Sequence, residues 1–110
     1  MKLPNGDGAQ LGTKLEDYSL NPEHRQGRHK AHVFQSVLGV TPENAQILRE
    51  AILNAAREAD NVEARGDNGF GQNYVLRFTM MTDTGQASIL TAWIIRHGED
   101  FPRLTTCYIL

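Results

Sequence analysis

His24, Arg28, His29 and Lys30 form the sharpest group of chemically capable residues in the chain. Histidine moves protons near neutral pH. A lysine held partly out of water stabilises negative charge as it develops. Such a group suits an anionic centre: a phosphodiester, a carboxylate or a nucleotide. Lys30 stands out within it. The segment Arg28 to Leu38 reads as a short amphipathic helix, and at about 100° per residue Ala31, Val33, Phe34, Val37 and Leu38 share one apolar stripe. Lys30 falls in the middle of that stripe, while His29, His32, Gln35 and Ser36 take the other face. A cation on the core side of a helix must be desolvated unless it finds a partner or an opening to water. It also sits in the first turn, where the helix dipole is already positive and anions bind. An anionic ligand would reverse both penalties. The bland alternative is a lysine that snorkels beside solvent-facing histidines.

A second group lies far along the chain. Thr105-Thr106-Cys107-Tyr108 places hydroxyls on a terminal strand, and Arg96 closes the strand before it. These hydroxyls are candidates to face the same site as His24 and Lys30, with Arg28, His29 and Arg96 as substrate-binding groups. Threonine and tyrosine are also common strand fillers. Nothing in sequence activates Cys107 as a nucleophile, and Trp93 reads as core. His24, His29 and His32 are close in sequence, but no cysteine pair or His-Glu-x-x-His pattern supports a metal site, so no metal and no cofactor is expected.

These residues need elements to position them. Thr13-Lys14-Leu15-Glu16 has the form of a capping box, starting a short helix to about Tyr18 or Leu20. Asn21-Pro22 stops it. Residues 21–27 form a loop, and Gly39 caps the Lys30 helix. Thr41-Pro42-Glu43 starts a longer helix to about Ala59, with Leu48, Ala51, Ile52, Ala55 and Ala59 as its apolar stripe. Val62 to Arg65 has the form of a short strand. The Gly-rich run Gly66 to Gly71 lacks the Gly-Lys-Ser/Thr of a phosphate loop and reads as a hairpin turn. Tyr74, Leu76, Phe78 and Met80 alternate with Val75, Arg77, Thr79 and Met81, the mark of a half-buried strand. Asp83-Thr84-Gly85 turns into a strand over 86–96, apolar on both faces and therefore central. A charged loop leads to the last strand, Arg103 to Ile109. The fold class is α+β: N-terminal helices packed on one face of a C-terminal antiparallel sheet of three to four strands.

The chain of 110 residues fits a single domain over 1–110, with one modest core. The net charge of −2 excludes a global basic field for nucleic acid. One local stretch is cationic: from Asn21 to Ser36, Arg25, Arg28 and Lys30 face Glu23 alone. A lone cysteine forms no internal disulfide and fits a cytoplasmic location. The first residues lack the shape of a signal peptide, and no run reaches membrane-span length, so no membrane partner is expected. Oligomeric state has no sequence signal.

The run Asn21-Pro22-Glu23-His24-Arg25-Gln26-Gly27-Arg28-His29-Lys30-Ala31-His32-Val33-Phe34 resembles an Asn-Pro-x-His-Pro-x-Gly-x-x-Lys-Ala-x-x-Phe signature. Arg25 stands where the signature has proline. Trp93 to Arg96 and Phe101 to Tyr108 resemble the ending of the same family, one of small bacterial proteins of unknown function related to C-terminal domains of polymorphic toxins. The helices-then-sheet plan resembles the barnase–EndoU–colicin–RelE group of metal-independent ribonucleases. The resemblance implies a toxin-like ribonuclease of a toxin–antitoxin or polymorphic toxin type. Carried over residue by residue, the resemblance makes His24, Lys30, Thr106 and Tyr108 the candidate catalytic positions: His24 would be general base or acid, Lys30 would stabilise phosphorane charge, and Arg96 and the Thr106 hydroxyl would assist. The partners implied are an RNA substrate and a small protein antitoxin. The rival expectation is a non-catalytic binding module, antitoxin-like, immunity-like or built for an anionic ligand.

Overall fold

The computed structural model describes residues 1–110, apart from the side chain of Tyr18. Helices come first and an antiparallel sheet follows, so the fold is α+β with a C-terminal sheet. Helix α1, Arg28–Val33, runs directly into a wider π-helical turn, Phe34–Leu38. Helix α2 spans Gln46–Glu58. Strands β1 (Glu63–Asp67), β2 (Gly71–Met81), β3 (Gln86–Arg96) and β4 (Arg103–Ile109) form one sheet in chain order. Strands β2 and β3 pair in unbroken register from Gly71↔Arg96 to Met81↔Gln86. Strand β3, with its long apolar run, lies between β2 and β4 and buries residues of both its faces, among them Ile89, Leu90, Trp93 and Ile94.

The core lies between the helices and one sheet face. Phe34, Leu38, Leu48, Ile52, Leu76, Ile89 and Trp93 are fully buried there. Each such side chain contributes roughly 1.5–3 kcal/mol relative to exposure. Trp93 completes its burial with a hydrogen bond: its indole N–H donates to Thr91 Oγ1 at 2.9 Å, and Thr91 Oγ1 donates to the Leu76 carbonyl at 3.0 Å. Arg77 and Thr79 face solvent, as the alternation requires, but Phe78 is only half-buried.

Two local expectations are revised. Lys30 is not at the centre of the buried stripe. Ala31, Phe34 and Leu38 face the core, and Val33 is 37% exposed. The widened turn after Val33 departs from strict α-helical spacing, and Lys30 comes to lie half-buried on the flank that faces β4. The expected capping box at Thr13 is replaced by an ion pair: Glu16 accepts from Arg49 Nη2 of α2 at 2.8 and 2.9 Å. Residues Leu15–Ser19 take a π-helical turn instead. The expected cap at Thr41 forms as a capping box, in which Asn44 Oδ1 accepts the Thr41 N–H at 2.7 Å.

The segment carrying Lys30 is fixed at its far end. Gly39 adopts φ +68°, a left-handed conformation natural to glycine. A Cβ there would sit 2.5 Å from Thr84 Oγ1. Thr82 Oγ1, in the β2–β3 turn, donates to the Leu38 carbonyl at 2.8 Å. The helical end and the hairpin turn therefore lock together.

Candidate functional site

The near end of α1 is built by His24. Its Nδ1 accepts the backbone N–H groups of Gln26 and Gly27, each at 3.0 Å. Its carbonyl accepts the Arg28 N–H at 3.0 Å. One turn earlier, Asn21 Oδ1 accepts the Glu23 N–H at 2.9 Å. The signature residues thus have a structural logic. Asn21 bends the loop, His24 caps it, and Gly27 begins the helix. The same bonds commit the amides of Gln26, Gly27 and Arg28 within the loop, so these three are not donors to an anion. They also set the imidazole. With Nδ1 accepting, the neutral ring carries its proton on Nε2.

From this anchored start Lys30 points to β4. Lys30 Nζ donates to Thr106 Oγ1 at 2.9 Å and stands 5.3 Å from the centroid of the Tyr108 ring. The sheet explains how these groups meet. Thr106 pairs with Ala92 and Tyr108 with Leu90, alternating with buried Cys107 opposite Thr91. By register Thr106 and Tyr108 therefore stand on the side of β4 away from the core. Strand β4 is an edge, so Lys30 reaches them around that edge. A bulge lies immediately before Thr106, where Leu104 pairs with Trp93 and Thr105 is the extra residue. Bulges of this kind re-aim side chains next to functional positions.

A groove of about 270 Å³ runs between α1 and β4, walled by His29, Lys30, Val33, Tyr108 and Ile109. Lys30, Thr106, Tyr108 and His29 therefore come together. His24 and Arg96 belong elsewhere. They line a separate cavity of about 440 Å³ with Gln10, Lys14, Asp17 and Arg103. Arg28 is exposed at the start of α1. The candidate residues thus divide between two adjoining concavities, rather than meeting in one cleft.

The sequence reading missed Lys14 and Arg103 as cavity residues. Lys14 looked like filler inside a capping box. Arg103 is placed by a tertiary contact without a local sequence signal, a parallel bridge to Gln10. In that bridge the Gln10 N–H donates to the Pro102 carbonyl and the Leu104 N–H to the Gln10 carbonyl, both at 2.9 Å.

Burial argues against Cys107 as a nucleophile. Burial pushes the Cys107 thiol up to about 12, against a smaller opposing effect of the Lys30 charge. At neutral pH it is an inert thiol beneath the groove. Arg103 forms a two-pronged ion pair with Glu99, at 2.9 and 2.8 Å, which holds the Glu99 carboxyl below its ordinary range. Among the described residues, no cluster of three or more His, Cys, Asp or Glu side chains could hold a metal ion. Nor is any helix among them long and apolar enough to cross a membrane.

No curated protein and no solved structure matches this chain. A family model does, over residues 2–110, a span that takes in the His24–Lys30 loop, the groove and all four strands. Its description is a domain of unknown function and names neither a toxin nor a nuclease. The chain belongs to this family, DUF6883.

Proposed function

We propose that the groove between α1 and β4 binds an RNA phosphodiester and cleaves it without a metal ion. The observation that carries this reading is the Lys30 ammonium, fixed by Thr106 and held over Tyr108 at the mouth of a groove that also contains His29. The 2′-hydroxyl of RNA attacks the adjacent phosphorus, and the bond from phosphorus to the 5′-oxygen breaks. The products are a 2′,3′-cyclic phosphate and a 5′-hydroxyl. In this arrangement His29, rather than His24, takes the proton of the 2′-hydroxyl. Lys30 neutralises the charge that builds on the phosphorane. The Tyr108 hydroxyl returns a proton to the departing oxygen. Thr106 holds the ammonium in place, Arg28 and Arg96 attract the strand, and His24 positions Lys30 by fixing the start of α1. In a cell such an activity is that of a toxin, and a small protein antitoxin would cover the groove.

A second reading, a non-catalytic module for an anionic ligand, is favoured by one observation. The proton-accepting nitrogen of His24 is already engaged, and His24 and His29 line different cavities, so the groove lacks a paired histidine acid and base. Expression in bacteria separates the readings. A ribonuclease should arrest growth on induction, and Lys30→Met should relieve the arrest. Equal growth of the native protein and the variant, at equal soluble yield, favours the binding module.

A further inference from the structure

The cavity beside the groove has its own chemistry. Its floor is the backbone of residues 10–12, pinned to β4 by the Gln10 bridge and to α2 by Arg49, whose Nη2 donates to the Gly12 carbonyl at 3.1 Å. Its walls hold three cations, Lys14, Arg96 and Arg103, against one carboxylate, Asp17. Arg103 is neutralised by Glu99. Lys14 and Arg96 form no ion pair among the described residues, although Arg96 is close enough to lower the Glu99 carboxyl slightly. Elsewhere on the sheet the long cations are paired: Arg65 and Arg77 both bridge to Glu63. A rigid concavity with two uncommitted cations is suited to one anionic group of modest size.

Its position gives the ligand class. Leu104, on its wall, pairs with Trp93; Tyr108, on the groove wall, pairs with Leu90. Those partners are three residues apart along β3, which sets the two concavities about 10 Å apart. Phosphates two linkages apart on a single nucleic acid strand can span such a separation.

We propose that this cavity is a second phosphate subsite, in which Lys14 and Arg96 hold a phosphate of the same single strand whose scissile phosphate lies at Lys30. The inference rests on the RNA reading of the groove and extends it: the substrate is an oligonucleotide running along the edge strand, and a dinucleotide fills only half of the site.

The test uses 2′-O-methyl oligouridylates of two and four nucleotides, which bind without being cleaved, and backbone amide NMR shifts. The expected result is that the tetramer moves amides of Gly12 and Lys14 as well as those of Lys30 and Ile109. It should bind at least about tenfold tighter than the dimer, in line with phosphate neutralisation. In a Lys14→Gln/Arg96→Gln variant that advantage should fall below about twofold. The native amide spectrum of the variant serves as the folding control. If the tetramer moves only the groove amides and binds no tighter than the dimer, the second subsite is wrong and the groove reading stands. If neither oligonucleotide moves either set, both fall.

Discussion

Lys30 Nζ and Thr106 Oγ1 are 76 residues apart in sequence and 2.9 Å apart in space. One comes from the helical layer and the other from the far side of the edge strand. The contact is available because His24 fixes where α1 begins and the bulge at Thr105 sets how Thr106 emerges. A half-buried ammonium held by a hydroxyl and an aromatic ring at the wall of a groove is suited to meeting an anion.

Replacing Lys30 with Met keeps the aliphatic stem. It removes the hydrogen bond to Thr106 and the cation–π contact with Tyr108, together about 1–2 kcal/mol, and also relieves the desolvation of a cation. Stability should therefore change by less than about 1 kcal/mol, read from urea unfolding. Thr106→Val should behave in the same way. Both variants should lose at least tenfold in activity. A loss of more than about 2 kcal/mol in either would mark the contact as structural.

His24 should prove to be a cap. His24→Ala leaves the Gln26 and Gly27 N–H groups without their acceptor and should cost about 1–2 kcal/mol. His24→Asn offers an oxygen in its place and should recover most of that loss. Equal destabilisation by Ala and Asn would show that the imidazole matters for something other than the cap.

The core hydrogen-bond chain gives a sharper test than simple truncation. Thr91→Val preserves volume but orphans the buried Trp93 indole N–H, for a cost of about 1–3 kcal/mol. Leu76→Ala, at a fully buried position, should cost about 2–5 kcal/mol. Half-buried Phe78 should cost less on truncation to Ala than Leu76 does. The reverse order would mean that the sheet is packed in another register.

Stability should fall at both ends of the pH scale, for opposite reasons. Arg77 and Arg65 lower the Glu63 carboxyl, His97 lowers that of Asp67, and Arg103 lowers that of Glu99. A carboxyl lowered in the folded state stabilises above its unfolded value, and the gain is lost as pH falls through and below 4.5. Cys107 is raised, so its contribution is complete below its ordinary value of 9.0 and is lost as pH rises toward about 12. Urea midpoints measured across pH should form a plateau between these limits. Iodoacetamide at pH 8 should spare Cys107 in the native protein and label it in urea. Rapid native labelling would contradict its burial.

The sheet and its turns were readable because their signals are local. Alternation in residues 74–81, Asp83-Thr84-Gly85 and the apolar run of 86–96 each name an element without reference to the rest of the chain. Lys30 was found by its conflict with an apolar helical face, and Thr106 and Tyr108 by the resemblance at the end of the chain. What could not be read was decided at a distance. The widened turn at Phe34–Leu38 takes the later apolar residues off strict α-helical spacing, so the buried stripe runs through Ala31, Phe34 and Leu38 with Lys30 on its flank. The pairing of Glu16 with Arg49 displaced a capping box. The Gln10–Arg103 bridge sets residues 10–12 beside β4, where they line the cavity that holds His24 and Arg96. His24 looked catalytic because histidine is rare as a cap, and its bonds to the next amides are set by a loop geometry that residue type alone does not reveal.

The central claim is that Lys30 acts on an RNA phosphodiester. Its most direct measurement is single-turnover incubation of purified, partner-free protein with single-stranded RNA in excess EDTA, followed by analysis of the new ends. The account predicts 2′,3′-cyclic phosphate and 5′-hydroxyl ends, at a rate reduced at least a hundredfold, about 2.7 kcal/mol of transition-state stabilisation, in Lys30→Met. Intact RNA after prolonged incubation, or cleavage by Lys30→Met at the native rate, would contradict it.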